Sequence, residues 1–156
     1  MVNSIDAVIA EKGWVLPVAA MPAANYVPWT RSGNLIFVSG QLPMKDGKPS
    51  GLGKLGRDFT VEQGQEIARQ CGLNILAHLK VACGGDFGKV VKCVRMGIFV
   101  ASVDGFTDQP KVANGVSDMM VELFGKEKGS HARFAVGVSE LPFGVGVEVD
   151  ATFEIA

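Results

Sequence analysis

The sequence is poor in the residues that most often build metal and disulfide sites. It contains three cysteines and two histidines among 156 residues. Cys71, Cys83 and Cys93 form no C-x-x-C pair. A structural zinc site or a disulfide framework requires closely spaced groups of such residues. We therefore predict no metal site, and reduced thiols of the kind found in cytoplasmic proteins.

Charge is also scarce, and neither sign dominates. Charged residues make up 20% of the chain, and 15 Lys and Arg balance 16 Asp and Glu to give a net charge of −1. A nucleic-acid-binding surface normally shows a basic surplus or stripe, so the composition argues against a nucleic-acid partner. Hydrophobic residues reach 47%, and a surplus of apolar surface favours self-association.

The chain has no hydrophobic run long enough to span a membrane. The apolar stretch from 14 to 24 is far shorter than the roughly 18 residues that suggest a membrane helix. Acidic residues precede this stretch and two prolines interrupt it, unlike a signal peptide. These features predict a soluble, cytoplasmic protein with no membrane partner. Without repeats or linkers, residues 1–156 are expected to form one domain.

Hydrophobic periodicity predicts a chain of mixed helices and strands. A short helix over 4–12 is expected within an N-terminal extension of residues 1–25, followed by an extended segment up to Pro28. The further predicted elements are a hairpin of 29–31 and 34–41, a long helix from Thr60 with a Thr60/Gln63 capping box, a strand over 89–103, and a helix from Pro110 to Phe124 closed by Gly125. A polar loop is expected over 126–130. Two helices should cover one face of a mixed sheet.

A glycine-rich stretch contains Gly51-Leu-Gly53-Lys-Leu-Gly56, which is formally G-x-G-x-x-G. In a dinucleotide-binding fingerprint this loop leaves a strand and opens a helix directly, so that phosphates meet the helix N-terminus. Here residues 57–59 intervene before the predicted helix. A loop or strand edge is favoured over a nucleotide cradle.

Residues 131–156 alternate strictly in two segments joined by a turn-rich stretch, which predicts an antiparallel hairpin. If this hairpin is centred between Leu141 and Pro142, Arg133 lies opposite Asp150 and diagonal to Glu148. One guanidinium and several carboxylates would then share a polar face. Two interpretations remain open, a salt bridge across the hairpin and a ligand site.

Several spaced motifs resemble the RidA (YjgF) family. The matching residues are Ser32-Gly33-Asn34-Leu-Ile-Phe-Val-Ser39-Gly40-Gln41-Leu-Pro, Asn74-Ile75, His131-Ala-Arg133, and Leu141-Pro142 with Val147-Glu148-Val149. The resemblance runs from about Tyr26 to the C-terminus. It implies a chorismate-mutase-like α+β fold and a homotrimer with a cleft at each subunit boundary. It also implies hydrolysis of reactive 2-imino or enamino acids to 2-oxo acids and ammonia, although some relatives carry endoribonuclease labels.

The resemblance also implies roles for individual residues. Arg133 matches the arginine that holds the substrate carboxylate, and Glu148 matches the glutamate associated with the hydrolytic water. Tyr26 lies where the family has its active-site tyrosine, while Ser39 and Gly40 match backbone that lines the cleft. Since an imine is already electrophilic, this chemistry implies no cofactor.

The sequence departs from the family pattern at three positions. His131 replaces a proline, Ala135 replaces a cysteine in the substrate cleft, and Asp104 stands for an asparagine near the cleft. These departures suggest a distinct subgroup and leave the substrate open. Three functions are therefore retained: a deaminase, a non-catalytic binder of small carboxylates or regulatory protein, and, least favoured, an endoribonuclease.

The same residues also have purely structural interpretations. Tyr26 could be a packed aromatic. His78 and His131 are expected to be structural histidines with their hydrogen bonds satisfied. Asp104 and Asn114 are expected to cap or terminate elements, and Cys71 and Cys83 to act as small hydrophobic residues.

Overall fold

A five-stranded mixed sheet with two long helices on one face organises the chain. The computed structural model describes residues 4–156. The helices are α1 (Ile5–Glu11), α2 (Val61–Ala82) and α3 (Gln109–Gly129), and the strands are β1 (Trp29–Ser32), β2 (Leu35–Gln41), β3 (Met44–Lys45), β4 (Lys48–Pro49), β5 (Val90–Ala101), β6 (Ala132–Val138) and β7 (Val147–Ile155). The sheet order is β1-β2-β7-β5-β6, and β3-β4 form a separate hairpin. Among the strands of residues 4–156, only β5 and β6 pair in parallel. The predicted α+β fold, with two helices packed on one face, is confirmed.

Local sequence explains why α2 begins where it does. The Thr60 hydroxyl accepts a hydrogen bond from the backbone N–H of Gln63 at 3.2 Å, and the Gln63 side chain accepts one from the backbone N–H of Thr60 at 2.9 Å. This reciprocal pair is the predicted capping box, and it satisfies two donors that the first helical turn would otherwise leave free. The β1–β2 hairpin is also as predicted, with Gly33 at φ 59° in the turn.

The core lies between the sheet and the helix pair. Along β7, alternate side chains are buried beneath the helices: Val147, Val149, Ala151, Phe153 and Ile155. Helix α2 packs on β2 and β7, while α3 packs on β5 and β6. The intervening β7 residues, Glu148 among them, therefore lie on the other face of the sheet.

The predicted hairpin over residues 131–156 is wrong. Strand β6 pairs with β5 in parallel, and β7 occupies the opposite edge of β5. Arg133 is in register with Met96, and Met96 with Ala151. The side chain of Arg133 therefore shares the helix-covered face with Met96. Alternation identified the two faces of each strand correctly, but period-2 patterning does not choose a strand's partner.

Helix α3 continues beyond its predicted end. Gly125 leaves helical geometry with φ 79°, as its predicted capping role requires, but the chain makes a further helical turn up to Gly129. The predicted polar loop over 126–130 is corrected accordingly. The glycine-rich stretch is a loop, as expected, and its Gly53 and Leu55 N–H groups donate to the carbonyls of Gly144 and Ala101.

The N-terminal extension lies against the helices. Helix α1 buries Ile9, and Trp14 and Leu16 pack onto the same core. Asp6 pairs with Lys80 of α2 at 2.7 Å. The following residues, up to Pro28, form no helix or strand, as predicted. Within residues 4–156 no helix combines the length and apolar character needed to cross a membrane.

The second face of the sheet carries no helix and is rich in apolar side chains. Phe37 is 41% exposed and Val136 is 42% exposed. Beside them, the rings of Phe99 and Phe134 meet edge to face at 5.3 Å. We call this face, with Phe37, Phe99, Phe134 and Val136, the open face. Its apolar character is unusual for a surface left to water.

Candidate functional site

Arg133 is held by neutral acceptors on α3. Its Nη1 donates to Asn114 Oδ1 and Ser117 Oγ, both at 2.9 Å, and its Nη2 donates to the carbonyl of Pro110 at 3.2 Å. A guanidinium carries five N–H donors, so two remain free after these three bonds. No carboxylate within residues 4–156 forms a salt bridge with Arg133, and Asp150, on the other face of the sheet, pairs with Arg95 at 3.7 Å. The proposed cross-hairpin salt bridge is therefore absent.

A hydrogen-bond relay fixes the position of the arginine further. His131 Nδ1 lies 2.7 Å from the carbonyl of Gly129, and His131 Nε2 lies 2.9 Å from Ser117 Oγ. A carbonyl can only accept, so Nδ1 carries the proton, and in the neutral ring Nε2 accepts from the Ser117 hydroxyl. Burial is the largest cause of the lowered pKa of His131, which favours that neutral ring. As expected, His131 is a structural histidine with both nitrogens satisfied.

Glu148 has no hydrogen-bond or ion-pair partner within residues 4–156. It lies on the open face, in register with Phe99. Burial raises the pKa of this carboxyl, and the nearby charge of Asp150 raises it further, with no hydrogen bond to offset either effect. A side chain at position 40 would collide with the Glu148 carboxylate, so the carboxylate lies directly over Gly40. The result is a partly buried carboxylate free to take a proton from a bound molecule.

Three further predicted residues gather around the same end of β2. Ser39 Oγ donates to the carbonyl of Val27 at 2.7 Å, and its backbone N–H donates to the carbonyl of Pro28 at 2.9 Å. These bonds tie the segment that carries Tyr26 to β2. Tyr26 is 56% exposed, so it is not a packed aromatic of this chain's core. Tyr26 and Gly40 line one cavity.

The chain does not bring Arg133 and Glu148 together. They project from opposite faces of the sheet, and β5 separates their strands. The strands that carry Arg133 and Glu148 are thus two strand spacings apart, a distance of about 10 Å. The site residues therefore fall into two groups. We call Arg133 with Asn114, Ser117 and His131 the arginine group. Tyr26, Ser39, Gly40 and Glu148 form the glutamate group.

The two remaining predicted residues, Ala135 and Asp104, belong to neither group. Ala135 follows Arg133 on the helix-covered face of β6 and packs against the core. Asp104 is exposed in the turn between β5 and α3 and joins neither group. Asp108, not Asp104, holds the cap position of α3.

Sequence reasoning missed most of the arginine's partners. Asn114 lies inside α3 instead of capping it, and Ser117 was not singled out. Both are polar residues on a helical stripe that is otherwise apolar, with Ser117 only 9% exposed. A polar residue in such a stripe needs a partner, and that is the signal that could have found them.

The cysteines form no part of either group. Cys71, Cys83 and Cys93 are free and buried, which confirms that Cys71 and Cys83 behave as small hydrophobic residues. Burial raises the pKa of the Cys93 thiol to about 12. Within the described part of the chain, no three His, Cys, Asp or Glu side chains come together in an arrangement that could hold a metal ion.

Comparison with known proteins places this architecture among described relatives. Residues 6–147 match the family model described as "YjgF/chorismate_mutase-like, putative endoribonuclease". Protein TCP17 of Trypanosoma cruzi is 48% identical over 143 residues, which cover 92% of this chain and 89% of that protein. A 2-iminobutanoate/2-iminopropanoate deaminase of Dermatophagoides farinae is 28% identical over 135 residues, covering 86% and 89%. A crystal structure of an Agrobacterium tumefaciens protein of unknown function superposes with a TM-score of 0.91 at 47% identity, covering 97% of this chain and 92% of that one.

Proposed function

Because the chain belongs to the YjgF/chorismate-mutase-like family, we propose that it hydrolyses reactive 2-imino or enamino acids to 2-oxo acids and ammonia. The observation that carries the proposal is the state of Arg133, a fixed cation with free donors and no carboxylate partner in the described chain. A relative named as a 2-iminobutanoate/2-iminopropanoate deaminase supports the choice of chemistry.

Arg133 supplies the carboxylate clamp. Two N–H groups of a guanidinium can bind the two oxygens of one carboxylate in a common plane. The bonds to Asn114, Ser117 and Pro110 hold the guanidinium before any ligand arrives. Little side-chain entropy is then lost on binding. A 2-imino acid held in this way presents its C2 carbon in a fixed direction.

Glu148 supplies the base. Its raised pKa suits a carboxylate that takes a proton from water near neutral pH. The water oxygen bonds to C2 as the C=N π pair moves to nitrogen, and the water proton passes to Glu148. Glu148 returns this proton to the nitrogen, then takes the proton of the new C2 hydroxyl and delivers it to the nitrogen as the C2–N bond breaks, so that ammonia leaves and C2=O forms. One water is consumed, and Glu148 returns to its starting state.

The two groups meet at a subunit boundary in this proposal. The arginine group lies beside β6, at one edge of the sheet, while Tyr26 immediately precedes β1 at the other edge. A ring of three subunits can bring the β6 edge of one copy next to the β1 edge of another. The apolar open face supports such an assembly. Each cleft would then draw on residues of two copies.

Ammonia release from freshly generated 2-iminobutanoate tests the proposal. An amino-acid dehydratase generates the imine in the assay mixture, and the rate of spontaneous hydrolysis is the reference for ammonia release. We expect acceleration by the wild type, and loss of that acceleration in Arg133→Ala and Glu148→Gln. Lys126→Ala, on an exposed turn of α3, is the matched control. A wild type that binds 2-oxobutanoate without accelerating hydrolysis would instead identify a non-catalytic carboxylate binder.

An endoribonuclease is not favoured as a second function. The family description includes that activity, but the chain has a net charge of −1 and no basic surplus. Proteins that follow a phosphate backbone depend on clustered Lys and Arg. Binding of single-stranded RNA that weakens steeply with salt would reverse this preference.

A further inference from the structure

A cavity of about 650 Å³ lies beneath the N-terminal extension. This volume falls within the range typical of small-molecule sites. Its walls come from the extension, Tyr26, the end of β2 from Gly40 to Leu42, Phe143, and two side chains of α2, Asn74 and His78. Most of the lining is apolar. The polar exceptions are Tyr26, Gln41 and Asp46, together with Asn74 and His78 on α2, and no role described above uses the two α2 side chains.

His78 is a buried histidine with an unsatisfied nitrogen. Its side chain is 5% exposed, and Nδ1 is fully buried with no hydrogen-bond partner within residues 4–156. The expectation that His78 is a satisfied structural histidine is therefore wrong. Burial lowers its pKa, so the ring is neutral. A buried N–H without a partner is rarer than a buried free acceptor, which places the proton on Nε2, the ring nitrogen that is not fully buried.

Asn74 offers the complementary group one helical turn away. It is 6% exposed, and its Nδ2 donates to the carbonyls of Met44 and Gln70, both at 2.9 Å. Carbonyls only accept, so these bonds fix the amide orientation and occupy both amide hydrogens. The Oδ1 acceptor has no partner from residues 4–156. Residues i and i+4 lie on the same face of a helix.

The cavity borders the glutamate group at two shared residues. Tyr26 and Gly40 line it, and the Glu148 carboxylate lies over Gly40. A molecule whose reacting carbon is beside Glu148 could therefore extend its side chain into the cavity. A small side chain such as methyl or ethyl would leave most of the volume empty and both polar groups unused.

We propose that the cavity holds the side chain of the substrate, a hydroxyaryl group. The ring fills the apolar walls. The hydroxyl accepts from His78 Nε2–H and donates to Asn74 Oδ1, since a hydroxyl is the simplest group that does both. The substrate class is then a 2-imino acid bearing a hydroxyaryl side chain, an assignment that rests on the proposed function.

Binding of three 2-oxo acids and one probe without a carboxylate tests this assignment. By titration calorimetry, 4-hydroxyphenylpyruvate should bind the wild type about three- to tenfold more tightly than phenylpyruvate, the effect expected of a neutral hydrogen bond. Both should bind more tightly than 2-oxobutanoate. The probe p-cresol should bind saturably, because the cavity recognises the ring and hydroxyl alone.

Two variants distinguish the cavity's contribution to ligand binding from that of the rest of the site. His78→Phe keeps a ring but removes the donor, so the preference for the hydroxyl should disappear. Ala20→Trp adds bulk to the cavity wall on a segment outside the helices and strands, where folding should tolerate it. It should weaken both aryl ligands at least tenfold and spare 2-oxobutanoate. Val81→Ala, on the exposed side of α2, is the matched control and should change nothing.

The outcomes distinguish this inference from the proposed function. Binding of 2-oxobutanoate with no gain for aryl ligands would overturn the hydroxyaryl assignment and leave the deaminase intact. Saturable p-cresol binding that Ala20→Trp abolishes would support the cavity's role even if every 2-oxo acid failed to bind. Failure of p-cresol to bind at millimolar concentration would overturn it, and ordered water would then be the occupant of the polar end.

Discussion

Arg133 is the residue whose surroundings say most about function. A cation near a protein surface usually has water or a carboxylate as its partner, and its long side chain samples several rotamers. Here Asn114, Ser117 and the carbonyl of Pro110 fix the guanidinium without neutralising its charge. The side chain is thereby held in one rotamer with its charge uncompensated, which prepares it to bind an anion.

Substitution of Arg133 should therefore affect ligand binding more than folding. A charge-assisted hydrogen bond typically contributes about 1.5–3 kcal/mol, and lysine cannot present two N–H groups in one plane. Arg133→Lys should weaken 2-oxo acid binding by roughly ten- to a hundredfold, and Arg133→Ala should nearly abolish deamination. Calorimetric titration and thermal unfolding on the same samples check this. A lowered melting temperature with unchanged affinity would make Arg133 structural.

Gly40 offers a more selective test of Glu148. A Cβ at position 40 would collide with the Glu148 carboxylate, but that carboxylate is the end of a flexible side chain and can swing aside. Gly40→Ala should thus cost little stability while moving the base, with an expected loss of activity of at least tenfold. Steady-state deaminase kinetics and urea unfolding provide the two readouts. Full activity in this variant would show that the carboxylate's position over Gly40 does not matter.

The raised pKa of Glu148 also has a consequence for stability. Burial makes the ionised form less favourable in the folded chain than in the unfolded one. Below the ordinary glutamate pKa of about 4.3 the group is neutral in both states, and as pH rises beyond it the wild type loses stability. Glu148→Gln should therefore melt at the same temperature as wild type near pH 4 and at a higher temperature at pH 7. Equal melting temperatures at both pH values would contradict the raised pKa.

At the scale of elements, sequence patterns predicted which helices and strands form and which strand faces are buried, but not which strands pair with one another. The capping box at Thr60 and the turn at Gly33 are local signals, and both elements are where they were expected. The β6–β7 hairpin failed because alternation is identical for any neighbour in a sheet. Helix α3 carries the chain back so that β6 joins β5 in parallel. That crossover depends on packing between distant segments.

For the candidate site, too, the sequence predicted individual residues but not how they are brought together. The family resemblance supplied Arg133, Glu148 and Tyr26, whereas their separation into two groups follows from strand order. In the sequence, Asn74 was identified only within a motif of the family resemblance, and His78 was expected to be a structural histidine with its hydrogen bonds satisfied. Their free hydrogen-bonding groups became visible only once the extension was seen to cover them. No local pattern encodes a contact between residues so distant in the chain.

The extension is expected to be held by burial more than by its ion pairs. Asp6 and Lys80 are both substantially exposed, and such pairs contribute about 0–1 kcal/mol. Ile9 is 5% exposed, and truncating a buried isoleucine to alanine typically costs about 2–5 kcal/mol. Ile9→Ala should therefore lower the free energy of unfolding by about 2 kcal/mol or more, and Asp6→Asn by less than about 1 kcal/mol. Urea unfolding of both variants measures these changes, and equal losses of unfolding free energy would contradict this ranking.

For the whole molecule, the open face and the divided site point to the same assembly. A sheet with one face under helices can leave its other face to water when that face is polar. This one instead exposes Phe37 and Val136 next to the Phe99–Phe134 pair. Covering these side chains with other copies would remove apolar surface from water. The same association could join the arginine group of one copy to the glutamate group of the next.

We therefore expect a homotrimer in solution. Light scattering should give about three times the chain mass of 16.5 kDa. Val136→Asp places a charge on the open face, where a buried interface would leave it unpaired at high cost, so this variant should be monomeric. Because Val136 faces away from the helix-packed core, the monomer should keep its helical circular dichroism. Without a second copy, neither Arg133 nor Glu148 has its counterpart, and deaminase activity should fall to the spontaneous rate. A folded Val136→Asp monomer with wild-type activity would show that one chain contains a complete site, and the shared cleft would have to be abandoned.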